Sequence, residues 1–458
     1  MSAKISSLNP ATGKLIKNYD LLSEGEVLKR IDRSQKAYLD WRKITFAQRS
    51  KYFLKVADVL EKNIDEYAKL ITTEMGKTLT ESVAEVKKSA LACRHFANNA
   101  KTYLRSEAIK TDASRSEVRF DSLGTIFLIM PWNFPFWQVF RAAAPAMMAG
   151  NAVMLKHASN VPGCALAIED IFIKAGIPKD TFQTLLINSN MTKILIAHPQ
   201  IKTISLTGSD RAGSIVASLA GSKIKKTVLE LGGSDPFIIC QDADLKKAAK
   251  VGAGARLIVA GQSCIAAKRF IVNKKIADKF LKYFSEEMKS KKVGDPLDPK
   301  TDIGPLASEQ IVNTIDNQVK RSIKLGAKVI VGGKRIEGKG YFYPPTVISN
   351  LTSKMPVYCE ETFGPVAAVI VVEDDEDAVR VANDTKYGLG SAVWTKSRKR
   401  AEYFIKNIEA GNVFVNSLVK SDPRLPFGGI KASGFGRELS EQGIKEFVNI
   451  KSVYIADL

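Results

Sequence analysis

Glu230-Leu231-Gly232-Gly233-Ser234-Asp235-Pro236, followed further along by Gly261-Gln262-Ser263-Cys264, sets a carboxylate before a glycine pair and a lone thiol after a tight-loop sequence. Val228 to Leu231 reads as a strand that runs into the Gly-Gly turn, and a second strand-helix alternation starts at Phe237. The stretch is therefore expected to be the joint between two α/β units. Its chemistry points to covalent catalysis. A thiol nucleophile that must later release an acyl group needs a base to activate water, and Glu230 is placed to be that base. The apolar neighbours Val228, Leu229 and Leu231 predict a raised carboxyl pKa.

Outward from this joint, Met130-Pro131-Trp132-Asn133-Phe134-Pro135-Phe136-Trp137 closes an apolar run with an amide between two prolines. The prolines fix the backbone and the aromatics exclude water, so Asn133 is suited to donate to an oxygen that turns negative during reaction. The chain has only three histidines, His95, His157 and His198, none near either motif in sequence. That argues against a cysteine-histidine hydrolase. The other cysteines, Cys93, Cys164, Cys240 and Cys359, read as small buried hydrophobes. The five together are odd in number, scattered and without metal-ligand spacing, so neither a disulfide framework nor a metal site is expected.

With 458 residues, 45% of them hydrophobic, the chain has material for two or three domains. Met1-Ser2-Ala3-Lys4-Ile5-Ser6-Ser7 has no apolar signal core, which makes a cytoplasmic location the expectation. Pro131, Asn133, Pro135, Gln138 and Arg141 break the most apolar region, Gly124 to Leu155, so no membrane span is expected. The net charge of +20 is spread over dispersed lysines. Short clusters such as Lys223-Ile224-Lys225-Lys226 lack interleaved aromatics, and no nucleic-acid partner is expected.

Between Ser23 and about Ala108 apolar residues recur at helical spacing: Val27, Ile31, Ala37 and Trp41, then Tyr52, Val56, Val59, Leu60 and Ile64. Ser116 to Phe120 reads as an exposed strand and Gly124 to Met130 as a buried one. Strands at Ala152 to Leu155, Thr184 to Ile187 and Thr203 to Leu206 alternate with helices after Val161, Thr192 and Asp210, as in a parallel sheet. Beyond Pro236 come strands at Phe237 to Ile239 and Arg269 to Val272, helices from Asp242 and Ile276, and strands near Lys328, Val366 and Ala392. Asn449 to Ile455 reads as a strand with no sheet partner nearby in sequence.

These motifs, with Leu8-Asn9-Pro10-Ala11-Thr12-Gly13, Glu361-Thr362-Phe363-Gly364-Pro365, Pro426-Phe427-Gly428-Gly429 and Gly434-Phe435-Gly436-Arg437-Glu438, make the chain resemble the aldehyde dehydrogenase superfamily nearly end to end. The resemblance implies an α/β fold of three parts: a Rossmann-like cofactor domain (1–103 and 121–231), an α/β catalytic domain (232–447) and a small β oligomerisation extension (104–120 and 448–458). It implies a homodimer or homotetramer. It implies Cys264 as nucleophile, Glu230 as base, and Asn133 with the Cys264 backbone N–H as oxyanion donors.

The resemblance also places a dinucleotide against Trp132, Lys156, Gly208, Ser209, Gly232, Glu361 and Phe363. Ser209 reads independently as the cap of a helix whose N-terminus suits a pyrophosphate. Three positions after Lys156, where many NAD-dependent members carry a glutamate, this chain has Ser159. Losing that carboxylate removes repulsion against a 2′-phosphate, so NADP is the expected cofactor and NAD a poorer one.

Asn133, Trp137 and Arg141 recur at helical spacing and would share a face if a helix starts near Asn133. Arg141 then needs an anion, either a substrate carboxylate or a structural salt-bridge partner. Ser263 and Ser421 add hydroxyls. The lysine-histidine-alanine-serine run and Arg141 resemble the family's branch acting on succinate semialdehyde, which implies an anionic aldehyde substrate. The alternatives are another small aliphatic or hydroxy aldehyde, and a catalytically silent binding protein on the same fold.

Overall fold

The computed structural model describes residues 4–457; Met1, Ser2, Ala3 and Leu458, to which the N-terminal reading and the outer domain boundaries extend, lie outside it. Two sheets organise the chain. The first is six-stranded, in the spatial order Gly434–Phe435, Lys226–Glu230, Ile201–Thr207, Thr125–Met130, Ala152–His157, Phe182–Thr184. All neighbours are parallel except Gly434–Phe435, which returns antiparallel and sets Gly434 opposite Glu230. The second is seven-stranded, and Pro236–Ile239, Arg269–Asn273 and Gly390–Trp394 lie side by side within it.

Helices cover both faces of the first sheet, which explains why Thr125–Met130 reads as an unbroken apolar run. On one face the helix Glu24–Trp41 buries Val27, Ile31, Ser34, Tyr38 and Trp41. Tyr38 thus takes the place expected for Ala37, because it lies one turn past Ser34. Trp41 is wholly inside, its indole N–H donating to the Met147 carbonyl at 2.9 Å. Each such large apolar group contributes about 1.5–3 kcal/mol on burial.

Several boundaries differ from expectation. The helix expected near Asn133 is Trp137–Met148. Pro135 disfavours helical backbone at Phe134, and the Glu85 carboxylate accepts from the N–H groups of Phe136 and Trp137, fixing the start there. The helix expected from Asp242 is Leu245–Leu257, capped by Asp244, because Asp242 is engaged by Thr395 and Arg400. The strand expected at Thr184 to Ile187 is Phe182–Thr184; Leu185 and Ile187 enter a core cluster instead. The helix expected after Thr192 is Ser189–Ala197, capped by Asn188.

The C-terminal strand Val448–Ile455 finds its partner far back in the chain, pairing antiparallel with Arg115–Ser122, which also pairs with Glu107–Ala108. It remains an edge strand, with Ile450 and Tyr454 exposed. Among the described residues no helix is long and apolar enough to cross a membrane. Cys93, Cys164 and Cys240 are buried as expected; Cys359, at the end of the short helix Pro356–Cys359, is exposed.

Candidate active site

The carboxyl ends of the first sheet carry Met130, His157, Thr207 and Glu230, and the segments after Met130, Thr207 and Glu230 line one cavity of about 380 Å³, whose walls Lys156 and Ser159 do not reach. Ligand sites in open parallel sheets lie at this edge. Asn133, Cys264, Ser209, Gly232, Glu361 and Phe363 are on its walls, with Trp132 and Gly208 beside them.

Cys264 follows a backbone of unusual shape. Val259 and Ala260 have φ of 52° and Gly261 of 78°, so three successive residues are left-handed. Two of them lack the glycine freedom and cost about 1–3 kcal/mol each. The bend is held from both sides: the Val259 N–H donates to the Glu81 carboxylate at 2.6 Å, and Arg256 donates to the Gly261 carbonyl at 2.7 Å. Beyond the thiol, the Lys268 ammonium donates to the carbonyls of Ser263 and Cys264 and pairs with Glu361 at 3.4 Å.

The Asn133 amide donates to the Gln262 carbonyl at 2.9 Å, which sets it next to the thiol and leaves its second N–H free. Its loop is tied to the Lys156 strand by His157, whose Nε2 meets the Pro135 carbonyl at 2.9 Å and whose Nδ1 accepts from the Ala158 N–H. Burial takes the His157 pKa down to about 4, so this tie is a neutral imidazole at physiological pH.

Burial pushes the Cys264 thiol up to about 12; Arg141 and Lys268 pull it down, and Glu230 and Asp235 add to the rise. Burial likewise raises Glu230 well above its ordinary value, with Glu438 adding and Arg141 opposing. The thiol is thus protonated at rest, and the carboxylate beside it is tuned toward a base of useful strength.

The glycine pair has a packing reason. A Cβ on Gly232 would lie 2.5 Å from the Glu361 carboxylate, and one on Gly233 2.8 Å from the Cys264 carbonyl. The Gly233 N–H donates to Glu361 at 3.0 Å, so the joint, Glu361 and the thiol loop are one unit.

The remaining wall suits a dinucleotide. Ser209 caps the helix Asp210–Gly221 by accepting from the Ala212 N–H, and Trp132 meets Phe363 edge-on at 5.8 Å. Lys156 is partly buried, lowered in pKa by that burial, and donates only to the His157 carbonyl at 3.4 Å. It is a cation at the sheet's carboxyl edge with no acidic partner among the described residues. Ser159 is exposed in the turn that follows.

The residues expected at the substrate end divide. Trp137 and Arg141 occupy the helix Trp137–Met148, with Asn133 before it rather than on it. Every side chain of this helix is buried, so Arg141 must find its counter-charge inside the protein. Glu438 supplies it. Of the two readings for Arg141, its surroundings favour the ion pair. Ser263 is buried with its hydroxyl unpartnered, and Ser421 accepts from the Lys88 ammonium at 2.8 Å. Sequence reasoning passed over Lys88 and Lys268, and quoted Glu438 only as part of a motif.

A thiol and an amide donor on one cavity wall, with a raised carboxylate buried next to it, are the parts of a thiol-dependent oxidoreductase. The chain belongs to the aldehyde dehydrogenase family, whose pattern matches residues 1–453. It is 50% identical to a probable succinate-semialdehyde dehydrogenase (NADP+) of Synechocystis, over 99% of this chain and 100% of that one. It is 48% identical to succinate-semialdehyde dehydrogenase (NADP+) 1 of Mycobacterium tuberculosis, over 99% and 100%. The fold matches a Streptococcus pyogenes succinic semialdehyde dehydrogenase in complex with NADP+ with a TM-score of 0.97, at 38% identity over 99% and 100% of the two chains.

Proposed function

We propose that the protein oxidises succinate semialdehyde to succinate with NADP as preferred acceptor and NAD as a poorer one. The observation that carries the chemistry is that Cys264 and Asn133 share one cavity wall while the Glu230 carboxylate, raised in pKa, lies buried just before Leu231 and Gly232 of that wall, in a chain half identical to relatives named for this reaction. The Cys264 thiol gives up its proton to water, its Sγ adds to the aldehyde carbon, the free Asn133 N–H with the Cys264 backbone N–H stabilises the resulting oxyanion, and loss of hydride from that carbon leaves the thioester. Bound NADP supplies the hydride acceptor. Glu230 takes a proton from the water that hydrolyses the thioester and frees succinate.

The residues suited to hold the dinucleotide are Trp132, Lys156, Ser159, Gly208, Ser209, Gly232, Glu361 and Phe363, with Ser159 and Lys156 toward the 2′-phosphate. Trp137, Ser263 and Ser421 line the substrate end, and Arg141 acts from behind it. Residues 1–103 with 121–231 form the cofactor domain, 232–447 the catalytic domain, and 104–120 with 448–458 the extension through which two or four copies assemble in the cytoplasm. The exposed edge of Val448–Ile455 supports that assembly.

Initial rates with succinate semialdehyde and with butanal, each with NADP and NAD, test this reading. Preference for succinate semialdehyde with NADP is expected. Equal turnover of butanal would leave an aldehyde dehydrogenase of another substrate, and no turnover of either would leave a silent binding protein.

A further inference from the structure

Three cations gather where the helix Leu79–Tyr103 meets the start of Trp137–Met148: Lys77, Lys88 and Arg141. Two are matched inside the protein, Lys77 by Glu85 and Arg141 by Glu438. Lys88 is not. Its ammonium donates to the Ser421 hydroxyl at 2.8 Å and lies 4.3 Å from the centre of the Trp137 ring.

The carboxylates near Lys88 are committed elsewhere. Glu85 holds Lys77 and also accepts the Phe136 and Trp137 N–H groups. Asp422 is held by both branches of Arg424 at 2.9 and 2.7 Å. Burial lowers Lys88 to about 8, with Arg141 adding to the fall and Glu85, Asp422 and Cys264 opposing it. The ammonium is therefore partly desolvated and short of an anion, over a Trp137 ring that follows by four residues the Asn133 amide bonded to the thiol's loop.

We infer that Lys88, steadied by Ser421 and Trp137, receives the carboxylate of the substrate while Cys264 attacks its other end. In succinate semialdehyde three C–C bonds of about 1.5 Å put the carboxyl carbon no more than about 4 Å from the aldehyde carbon, so the anion stays in this corner. An anion there completes the pairing that the fold leaves open, and an uncharged chain leaves it unmet. The inference rests on the proposed reaction and assigns its acidic end.

The test is the ratio of kcat/KM for succinate semialdehyde to that for butanal, in the full-length wild type, Lys88→Met, Lys88→Gln and Lys88→Arg. The ratio should fall by about 10- to 100-fold in the Met and Gln variants, chiefly through KM, and recover in the Arg variant. Should Lys88→Met fail to fold, Lys88→Gln, which keeps a group for Ser421, carries the same test. An unchanged ratio in the neutral variants, whether both rates fall together or neither does, overturns the assignment. A wild type that shows no preference for the acidic aldehyde overturns the proposed substrate itself, and does so before any variant is made.

Discussion

Arg141 and Glu438, brought together from the helix Trp137–Met148 and the segment after Gly434–Phe435, form an ion pair that is 2% and 1% exposed. The guanidinium also lies over Phe427, 5.0 Å from the ring centre. Both charges act on Glu230, Glu438 raising its pKa and Arg141 lowering it. The pair is thus a fixed dipole acting on the carboxyl proposed as general base.

Breaking this pair from one side leaves a buried charge uncompensated, at about 3–5 kcal/mol. Arg141→Met should therefore lower Tm sharply and depress turnover of acidic and neutral aldehydes alike. Calorimetry with the two-aldehyde assay checks this. A selective rise in KM for succinate semialdehyde at unchanged Tm would instead put Arg141 in contact with the substrate.

Replacement of Glu230 by Gln should leave acylation and remove the base for hydrolysis. The expected signature in rapid mixing is a burst of reduced cofactor followed by a steady rate lower by about 10²–10⁴-fold. If the burst disappears as well, Glu230 is also needed to activate the thiol.

Stability should carry the mark of the same carboxyl. Burial raises Glu230 in the folded state above its ordinary 4.5, so the protein gains from its protonation below that value. The gain is lost as pH rises through the folded pKa. Glu230→Gln, neutral throughout, should accordingly raise Tm relative to wild type at pH 8 and not at pH 4. Equal shifts at both values would contradict a raised pKa.

Without cofactor, the Cys264 thiol, pushed to about 12, should react slowly with iodoacetamide at pH 7. Its rate should climb by about tenfold per pH unit up to pH 9, following the thiolate fraction. A plateau below pH 8 would show a thiolate already formed. Exposed Cys359 reacts in parallel, so Cys264→Ala supplies the background.

Ser159→Glu should cost about 10- to 100-fold in kcat/KM for NADP and spare NAD, since a carboxylate there would face the 2′-phosphate. Loss with both cofactors would place Ser159 away from the ribose.

The parts of the fold that sequence showed are those with a local cause. Thr125–Met130 is legible because a strand covered on both faces is apolar throughout, and Ser209 because a helix cap announces itself. Asn133, Glu230 and Cys264 stand out because an amide between prolines and a carboxylate before a glycine pair have no easy structural use. What stayed hidden lies in pairings across the chain. Nothing near Arg141 points to Glu438, nothing near Lys88 shows that its neighbouring acids are taken, and the start of the helix at Trp137 depends on Glu85. The helix expected from Asp242 starts instead at Leu245, and only the distant Arg400 explains why Asp242 stands outside it.

Glu81 closes the capping box at the head of Leu79–Tyr103 and, with its other oxygen, holds the Val259 N–H. The same carboxylate thus starts an ordinary helix and keeps the nucleophile's loop in a shape that loop would not adopt alone. Inherited variation at Glu81, in a segment with no reacting atom, therefore falls one hydrogen bond from the bend that leads to the thiol.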